Sequence, residues 1–415
     1  MSRFFAASIA VLMIALGVRV AAAYWWESKV PVGERFLFPD SESYWTLAGA
    51  MAADQPYQYG DAKIFRTPGY PWLLSWLFHG TQEPRVLTAR WLGAVMGGAT
   101  TAVTMCFAAL AFDRATSLVA GIMVALYPGA VATSVFVLSE APFMLLMMLQ
   151  LLLWWMAFTS DRLLRRLWLS ALAGGCAAAA VLTRPSWLLF VPFALAVVAV
   201  LFLHRGKQLV ITAVTLATMV LCLLPWWARN YALTGHFVPT TLQVGASLYD
   251  GWNPQATGAS DMSHGDALLE REQSHATAGQ EMTEFERDRL LRDAALQWAG
   301  QHPGRALQLG LTKFVRMWNI FPNADEFQST TIRLLLLLTY VPLMALAAVG
   351  AWRQRARWQT WICLLPAVYF TLLHIVFVSS IRYREPAMLG MIVLAASVVS
   401  AIVPYGRKPK VSLVP

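Results

Sequence analysis

Charge is scarce in this chain and unevenly spread. Only 13% of its 415 residues are Asp, Glu, Lys or Arg and 58% are hydrophobic, whereas soluble globular domains hold about 25% and 45–50%; an ordinary soluble fold is excluded. Cysteine is equally thin. Cys106, Cys176, Cys222 and Cys363 fall one to an apolar run without C-x-x-C spacing, which argues against a disulfide framework or a thiolate metal site and leaves small packing residues. The histidines have no H-E-x-x-H or H-x-H spacing, and the chain carries no P-loop, no G-x-G-x-x-G behind a strand pattern and no G-x-S-x-G elbow, so nucleotide binding, zinc hydrolysis and serine hydrolysis lack their usual marks. There is no tandem repeat and no visible soluble domain.

What the chain has in abundance is long apolar runs. Ten read as membrane spans, residues 4–25, 85–112, 115–135, 140–159, 166–182, 186–203, 209–228, 333–352, 358–378 and 386–404, most near the roughly 20 residues that cross the hydrocarbon and the fifth, sixth and tenth at the short end. The expected fold is an all-α polytopic membrane protein. The first run ends in Tyr24, Trp25 and Trp26, an interfacial belt, and is read as a retained span rather than a cleaved signal. Arg19 lies six residues before Trp25, about 9 Å along a helix, within snorkelling reach of the surface.

With a cytoplasmic N-terminus and alternating spans, the inner segments carry Arg3; Arg114; Arg162, Arg165 and Arg166; Arg205 and Lys207; Arg353, Arg355 and Arg357; and Arg407, Lys408 and Lys410, against only Asp113 and Asp161. The positive-inside rule is met at every inner loop. The net charge of +9 therefore reflects orientation in a membrane and not a nucleic-acid partner. Both termini are expected in the cytoplasm, with three regions: a seven-span module over 1–228 with its first outer loop at 26–84, an outer segment over 229–332, and a three-span region over 333–415.

This topology puts nearly every unusual polar residue on one face. Asp40 follows Pro39 at the start of an amphipathic patch with Tyr44 and Trp45, where a carboxylate is either a helix cap or a functional acid. Arg66-Thr67-Pro68-Gly69-Tyr70-Pro71 turns the chain before residues 71–78, too short to cross and read as a surface helix. Ser139 and Glu140 open the fourth span as a cap or as a second acid facing Asp40. Arg184, at the end of the fifth, meets lipid head groups or a phosphate, for which a guanidinium offers paired donors. Trp226-Trp227-Ala228-Arg229-Asn230 follows the seventh span. Thr283 and Glu286 form a capping box for a helix near 283–300, whose charges read as a solvated surface. Residues 306–322 read as a surface-lying or partly inserted helix with Lys313 and Arg316 on its polar side. His374 and Arg382-Tyr383-Arg384-Glu385 close the outer edge.

The acid after the first span, Tyr-Trp, R-x-P-G-Y-P, S-E-x-x-F at 139–143, and the W-x-R-N-Y, G-x-F-V-P and G-x-N-P-like run of 225–258 together resemble the bacterial C-type (GT-C) glycosyltransferases of the protein mannosyltransferase and aminoarabinose transferase kind. The resemblance covers roughly 1–258 and 374–390. It implies a GT-C architecture, a reactive acid in the first outer loop, a polyprenyl-phosphate sugar donor and inversion at the anomeric carbon. The chain departs from some relatives in having Asp-Ser-Glu at 40–42 where they have adjacent Asp-Glu, and in lacking a large soluble C-terminal domain, which leaves metal use and acceptor type open.

The expectation is a hexosyl- or pentosyltransferase of the bacterial inner membrane, of the kind that modifies glycans or lipopolysaccharide. It would work on the periplasmic face, where nucleotide sugars are absent and an activated sugar arrives on a lipid. Asp40 is the candidate general base, with Glu140 orienting the acceptor or helping to hold a divalent cation, Mg or Mn; no cofactor is certain. Arg184, Arg382 and Arg384 are candidate phosphate ligands, and Tyr44, Arg66, Tyr70, Arg229, Asn230, His374 and Tyr383 candidate cavity residues. The expected partners are a polyprenyl-phosphate-linked sugar, a lipid, glycan or protein acceptor, and membrane lipids. The competing class is a transporter or flippase of lipid-linked sugars, for which midplane charges and broken helices are expected.

Overall fold

The computed structural model describes residues 2–31, 33–81, 83–201, 206–275, 281–322 and 329–402. In chain order its helices are α1 (Ser2–Glu27), α2 (Pro39–Ala52), α3 (Gly69–Ser75), α4 (Val86–Ala111), α5 (Arg114–Leu126), α6 (Pro128–Val135), α7 (Glu140–Thr159), α8 (Leu163–Thr183), α9 (Phe190–Leu201), α10 (Gly206–Thr234), α11 (Val244–Gly251), α12 (Ser263–His275), α13 (Glu284–Gln301), α14 (Pro303–Trp318), α15 (Thr330–Arg353), α16 (Trp358–Val376) and α17 (Glu385–Ile402). Tight 3-10 turns lie at Trp76–Phe78, Pro185–Trp187 and Ile381–Arg384. Among the described residues the only extended pairing is an isolated bridge between Tyr59 and Ala62.

Among the described residues eight helices are long and apolar enough to cross a membrane, or nine when α5 and α6 count as one bent span, so the chain is a multi-pass membrane protein. The ten expected spans differ from this at two places. At the sixth, Pro185 opens a 3-10 turn, so the regular helix α9 begins only at Phe190, and the end of the expected span, 202–203, lies outside the described residues. Pro192 falls in the first turn of α9, where its missing N–H costs no helical hydrogen bond. Arg205, Arg407, Lys408 and Lys410, counted above with the inner cations, lie outside the described residues.

The third span is broken. α5 and α6 meet at a bend of 57°, where Pro128 has no N–H to offer the carbonyl of Val124. Arg19 fills that role. It does not snorkel; it is 1% exposed, donating to the carbonyls of Val124 at 3.1 Å, Ala125 at 3.5 Å and Ala15 at 3.0 Å and to Ser134 Oγ at 3.1 Å. At the far end of α6, Arg90 donates to the Val135 carbonyl at 3.0 Å and pairs with Glu27 at 2.6 Å. Two buried arginines thus satisfy the backbone groups that a broken helix leaves open, as an apolar surrounding demands.

α17 is the innermost span, with 83% of its apolar window buried against 17% for α1 and 22% for α15. α7, α9, α16 and the 3-10 turn at Pro185–Trp187 share an aromatic core in which Trp187 stacks on Phe190 at 3.8 Å between ring centres and meets Phe143, Tyr369 and Phe370. The starts of α7 and α17 are thereby fixed beside each other at one end of the bundle.

α11 to α14 form a layer over that end. α13 opens with the expected Thr283/Glu286 capping box and packs on α11. α14 is docked rather than lying free on the surface. Lys313, expected on its polar side, is fully buried and donates to the Val376 carbonyl at 2.7 Å. Burial lowers its ammonium pKa to about 8, against the opposing pull of Asp250. The amphipathic pattern put Lys313 on the polar face and could not show that the end of α16 would offer a carbonyl to a lysine there.

Candidate functional site

The turns that the sequence assigns to one face converge on a single large cavity of about 430 Å³. Its polar end is a cluster of carboxylates and guanidiniums. Arg66 donates to Asp40 at 2.7 Å and to Ser43 Oγ at 3.0 Å. Arg382 spans two acids, donating to Asp40 Oδ2 from both terminal nitrogens at 3.2 Å and to Glu140 from Nε. Arg184 pairs with the same Glu140 oxygen at 2.8 Å. Three guanidiniums against two carboxylates leave one positive charge over.

Asp40 is the acid that borders the cavity, with its side chain 40% exposed. It sits in the first turn of α2 but caps nothing: the cap position is Phe38, without a side-chain bond, because the guanidiniums take the carboxylate instead. Burial works against its ionisation, yet Arg66 and Arg382 outweigh burial and hold its carboxyl below the usual range. Arg66 is shifted the other way; burial opposes its charge, but Tyr44 and Asp40 prevail and raise it. Glu140 is placed differently from the expectation of a second acid facing Asp40 across the cavity. It is fully buried behind Arg184 and Arg382, does not line the cavity, and its second oxygen has no hydrogen-bond partner. Ser139 sits at the cap position of α7 without a capping bond; its hydroxyl meets Tyr44 OH at 3.4 Å.

Of the remaining candidates, Tyr44, Arg66, His374 and Tyr383 line the cavity. His374 and Tyr383 stack in parallel, 4.3 Å between centres, and Arg184 lies over the Tyr383 ring at 5.5 Å. Tyr70, Arg229, Asn230 and Arg384 do not reach it. Tyr70 is buried with its ring edge against Tyr44. The Trp-Trp-Ala-Arg-Asn motif is a clamp on the chain that returns beneath α10: Trp226 and Asn230 donate to the carbonyls of Thr240 and Val238, and Trp227 to that of Pro239. That clamp holds Pro239, Thr240 and Thr241 as a cavity wall. Arg384 departs from its expected role as a phosphate ligand. It is 1% exposed, donates to the carbonyls of Met317 and Asn319, and stacks on Tyr340 at 3.9 Å.

Sequence reasoning missed the apolar side of the cavity, formed by Leu188, Leu189, Tyr369, Leu373 and Phe377, and the polar contributions of Thr67, Gln243 and Ser247. Nothing in an apolar run distinguishes a cavity wall from a lipid face. Gln243 and Ser247 are spaced like one helical face, a signal hidden in a stretch read as turns. Gly69 of the R-x-P-G-Y-P turn does have a visible cause: a Cβ there would lie 2.7 Å from the Leu182 carbonyl oxygen, so only glycine lets α3 close on the end of α8 beside Arg184.

The acids do not suit a divalent cation. Both oxygens of Asp40 and one of Glu140 already receive guanidinium donors, and among the described residues no group of three or more His, Cys, Asp or Glu converges, whereas hard divalent ions need several oxygen ligands.

The dolichyl-phosphate-mannose-protein mannosyltransferase family matches residues 64–240. No curated protein matches the chain by sequence. Among solved structures, the apo oligosaccharyltransferase of Archaeoglobus fulgidus superposes with a TM-score of 0.61 at 16% identity, covering 95% of this chain and 50% of that one. The same archaeal enzyme, AglB, in complex with an inhibitory peptide and a dolichol-phosphate gives 0.59 at 14% identity, with 95% and 50% covered. ArnT from Cupriavidus metallidurans bound to undecaprenyl phosphate covers 96% of this chain and 77% of its own at 15% identity, but its TM-score of 0.43 is too low to carry an argument. The chain spans about half the length of the archaeal structures it matches. In fold, then, this chain is similar to the archaeal oligosaccharyltransferase, and its segment from the loop before α3 through α10 matches the dolichyl-phosphate-mannose-protein mannosyltransferase family.

Proposed function

We propose that the protein transfers a sugar from a polyprenyl-phosphate donor to a hydroxyl or amine of a lipid, glycan or protein acceptor, at the outer face of a bacterial inner membrane and with inversion at the anomeric carbon. The observation that carries this reading is the cavity's composition: a guanidinium excess around one ionised, partly exposed aspartate at one end, and an apolar wall at the other. A lipid carrier presents the matching pair, an anionic head and an apolar tail. The family segment, and the dolichol-phosphate bound by the archaeal structure of the same fold, support a lipid-phosphate donor.

In the step itself the bond between the anomeric carbon and the phosphate oxygen breaks, its electron pair staying with the phosphate, while the acceptor oxygen or nitrogen bonds to that carbon from the opposite side. The acceptor's proton passes to the Asp40 carboxylate. Charge grows on the leaving phosphate, so Arg184 and Arg382 act most strongly in the transition state. Glu140, behind them, aims both guanidiniums. Asp40, held below the usual carboxylate range, is a weak base. That suffices, because the attacking hydroxyl becomes acidic only as it bonds to carbon and its proton leaves late.

Supplying the purified protein with labelled polyprenyl-phosphate sugars and a cell-envelope extract tests the reading, by asking which component becomes labelled. Asp40→Asn should lose transfer by about two to four orders of magnitude with the fold intact; near-normal turnover in that variant removes Asp40 as the base. A transporter has less support. The broken span α5–α6 is of the kind such proteins use, but its freed carbonyls are taken by Arg19 and are not left for an ion.

A further inference from the structure

The loop between α2 and α3 brings Arg66 to Asp40, and its own backbone is held from three sides. Leu242 N–H donates to the Ile64 carbonyl at 3.1 Å. Arg229, stacked on Trp226 at 4.8 Å, donates to the carbonyls of Tyr57 at 3.2 Å and Lys63 at 3.1 Å. The third grip comes from α13. One Glu284 oxygen accepts the N–H groups of Lys63 at 2.8 Å and Ile64 at 3.1 Å, and the other accepts Ile64 again at 3.2 Å. Lys63 and Ile64 therefore have both N–H and both carbonyl groups bound by other elements, two residues before Arg66.

Glu284 is not needed to cap its own helix, because Thr283 and Glu286 already do so reciprocally. Its carboxylate is instead turned onto the loop. Burial raises its pKa, against the pull of the two loop amides and of Arg287 and with the help of Asp61; the carboxylate has been taken out of water for this contact. One turn on, Asp288 accepts the Gly245 N–H at 2.7 Å, and a Cβ on Gly245 would meet the Asp288 carbonyl at 1.8 Å. The same face of α13 thus fastens the start of α11, where Gln243, Val244 and Ser247 line the cavity.

We propose that Glu284 is a positioning residue for the transfer reaction. Its carboxylate locks the backbone at 63–64, and so fixes the angle at which Arg66 meets Asp40. α13, which the charge pattern alone assigns to a solvated surface, becomes the brace of the acid's electrostatic environment. The inference rests on Asp40 acting as the base.

The test uses the full chain in detergent or proteoliposomes, with Glu284→Gln and Glu284→Ala beside wild type. Two measurements are made: hydrogen exchange at the amides of 57–67, and kcat and KM for transfer across pH. The expected result is faster exchange at Lys63 and Ile64 and a severalfold fall in kcat, no larger than that of Arg66→Ala, with little change in donor KM. The acid limb of the profile should move in the same direction as in Arg66→Ala. Combining Glu284→Ala with Arg66→Ala should cost little beyond Arg66→Ala alone, because the two act through one contact. Glu284→Asp should recover part of the rate. Unchanged exchange overturns the proposal, as does faster exchange with an unmoved pH profile. If wild type transfers nothing from any lipid-phosphate sugar, the transferase reading fails on its own, and exchange alone then decides whether the brace exists.

Discussion

Arg382 and Arg384 stand two residues apart on one 3-10 turn, and they end in opposite circumstances. Arg382 lines the cavity and bridges two carboxylates. Arg384 is sealed beneath it against two backbone carbonyls and a tyrosine ring. A guanidinium has five donors in a fixed plane. Facing carboxylates across a cavity, it stays open to the cavity; filled with carbonyls, it is spent on holding α14 to the start of α17. The same residue type borders a cavity in one place and joins helices in the other, and its neighbours decide which.

Replacing each arginine sharpens this contrast. Arg382→Lys keeps the charge but cannot reach Asp40 and Glu140 together, because a point ammonium has no fork. Transfer should fall by about a hundredfold to a thousandfold, the range seen when one donor to developing negative charge is lost, with thermal unfolding of the detergent-solubilised protein nearly unchanged. Arg384→Met should behave in reverse. It leaves the Met317 and Asn319 carbonyls without their donor and buried Glu385 without the guanidinium at 3.7 Å, a loss of about 3 kcal/mol or more, visible as a lower unfolding midpoint, while the molecules that remain folded keep most of their kcat. Retained stability with lost transfer in Arg384→Met would dissolve the distinction drawn here.

That distinction was not legible in the sequence, and the reason is geometric. Arg-Tyr-Arg at the outer edge of an apolar run says that two cations sit near a surface. It does not say that a 3-10 turn sends one into the cavity and the other under it, since that depends on where the end of α14, far along the chain, comes to rest. Arg19 teaches the same point, for its partners are carbonyls freed by Pro128 in another helix. By contrast, Asp40, Glu140, Arg184 and Arg382 could be grouped in advance. Alternating spans and the bias of inner loops toward Arg and Lys put their four turns on one face, and helix starts and ends at a common depth are forced close together in a bundle. The apolar runs gave the all-α fold for the same reason. They missed the bend in the third span and the 3-10 start of the sixth, where Pro128 and Pro185 interrupt a run without lowering its hydrophobicity.

A gentler perturbation separates the two guanidiniums on Asp40 from each other. In wild type, Arg66 and Arg382 hold its carboxyl below the usual range against the opposing effect of burial. Its ionised form therefore persists as pH falls past the ordinary aspartate value near ~3.9, and the stability it contributes is present above that value and lost only as pH drops through the lower, folded one. The acid limb of kcat/KM, which reports the free enzyme's base, should accordingly lie below pH 4. Arg66→Gln removes one of the two cations and leaves burial in place, so the limb should move upward toward or beyond the ordinary value while the rate on the plateau falls only severalfold, because Arg382 and Arg184 still face the phosphate. A limb that stays where it was would mean that Arg66 does not set the charge of Asp40 and that Arg382 holds the acid alone; the loop that delivers Arg66, with its three-sided backbone grip, would then be a wall of the cavity and no part of its chemistry.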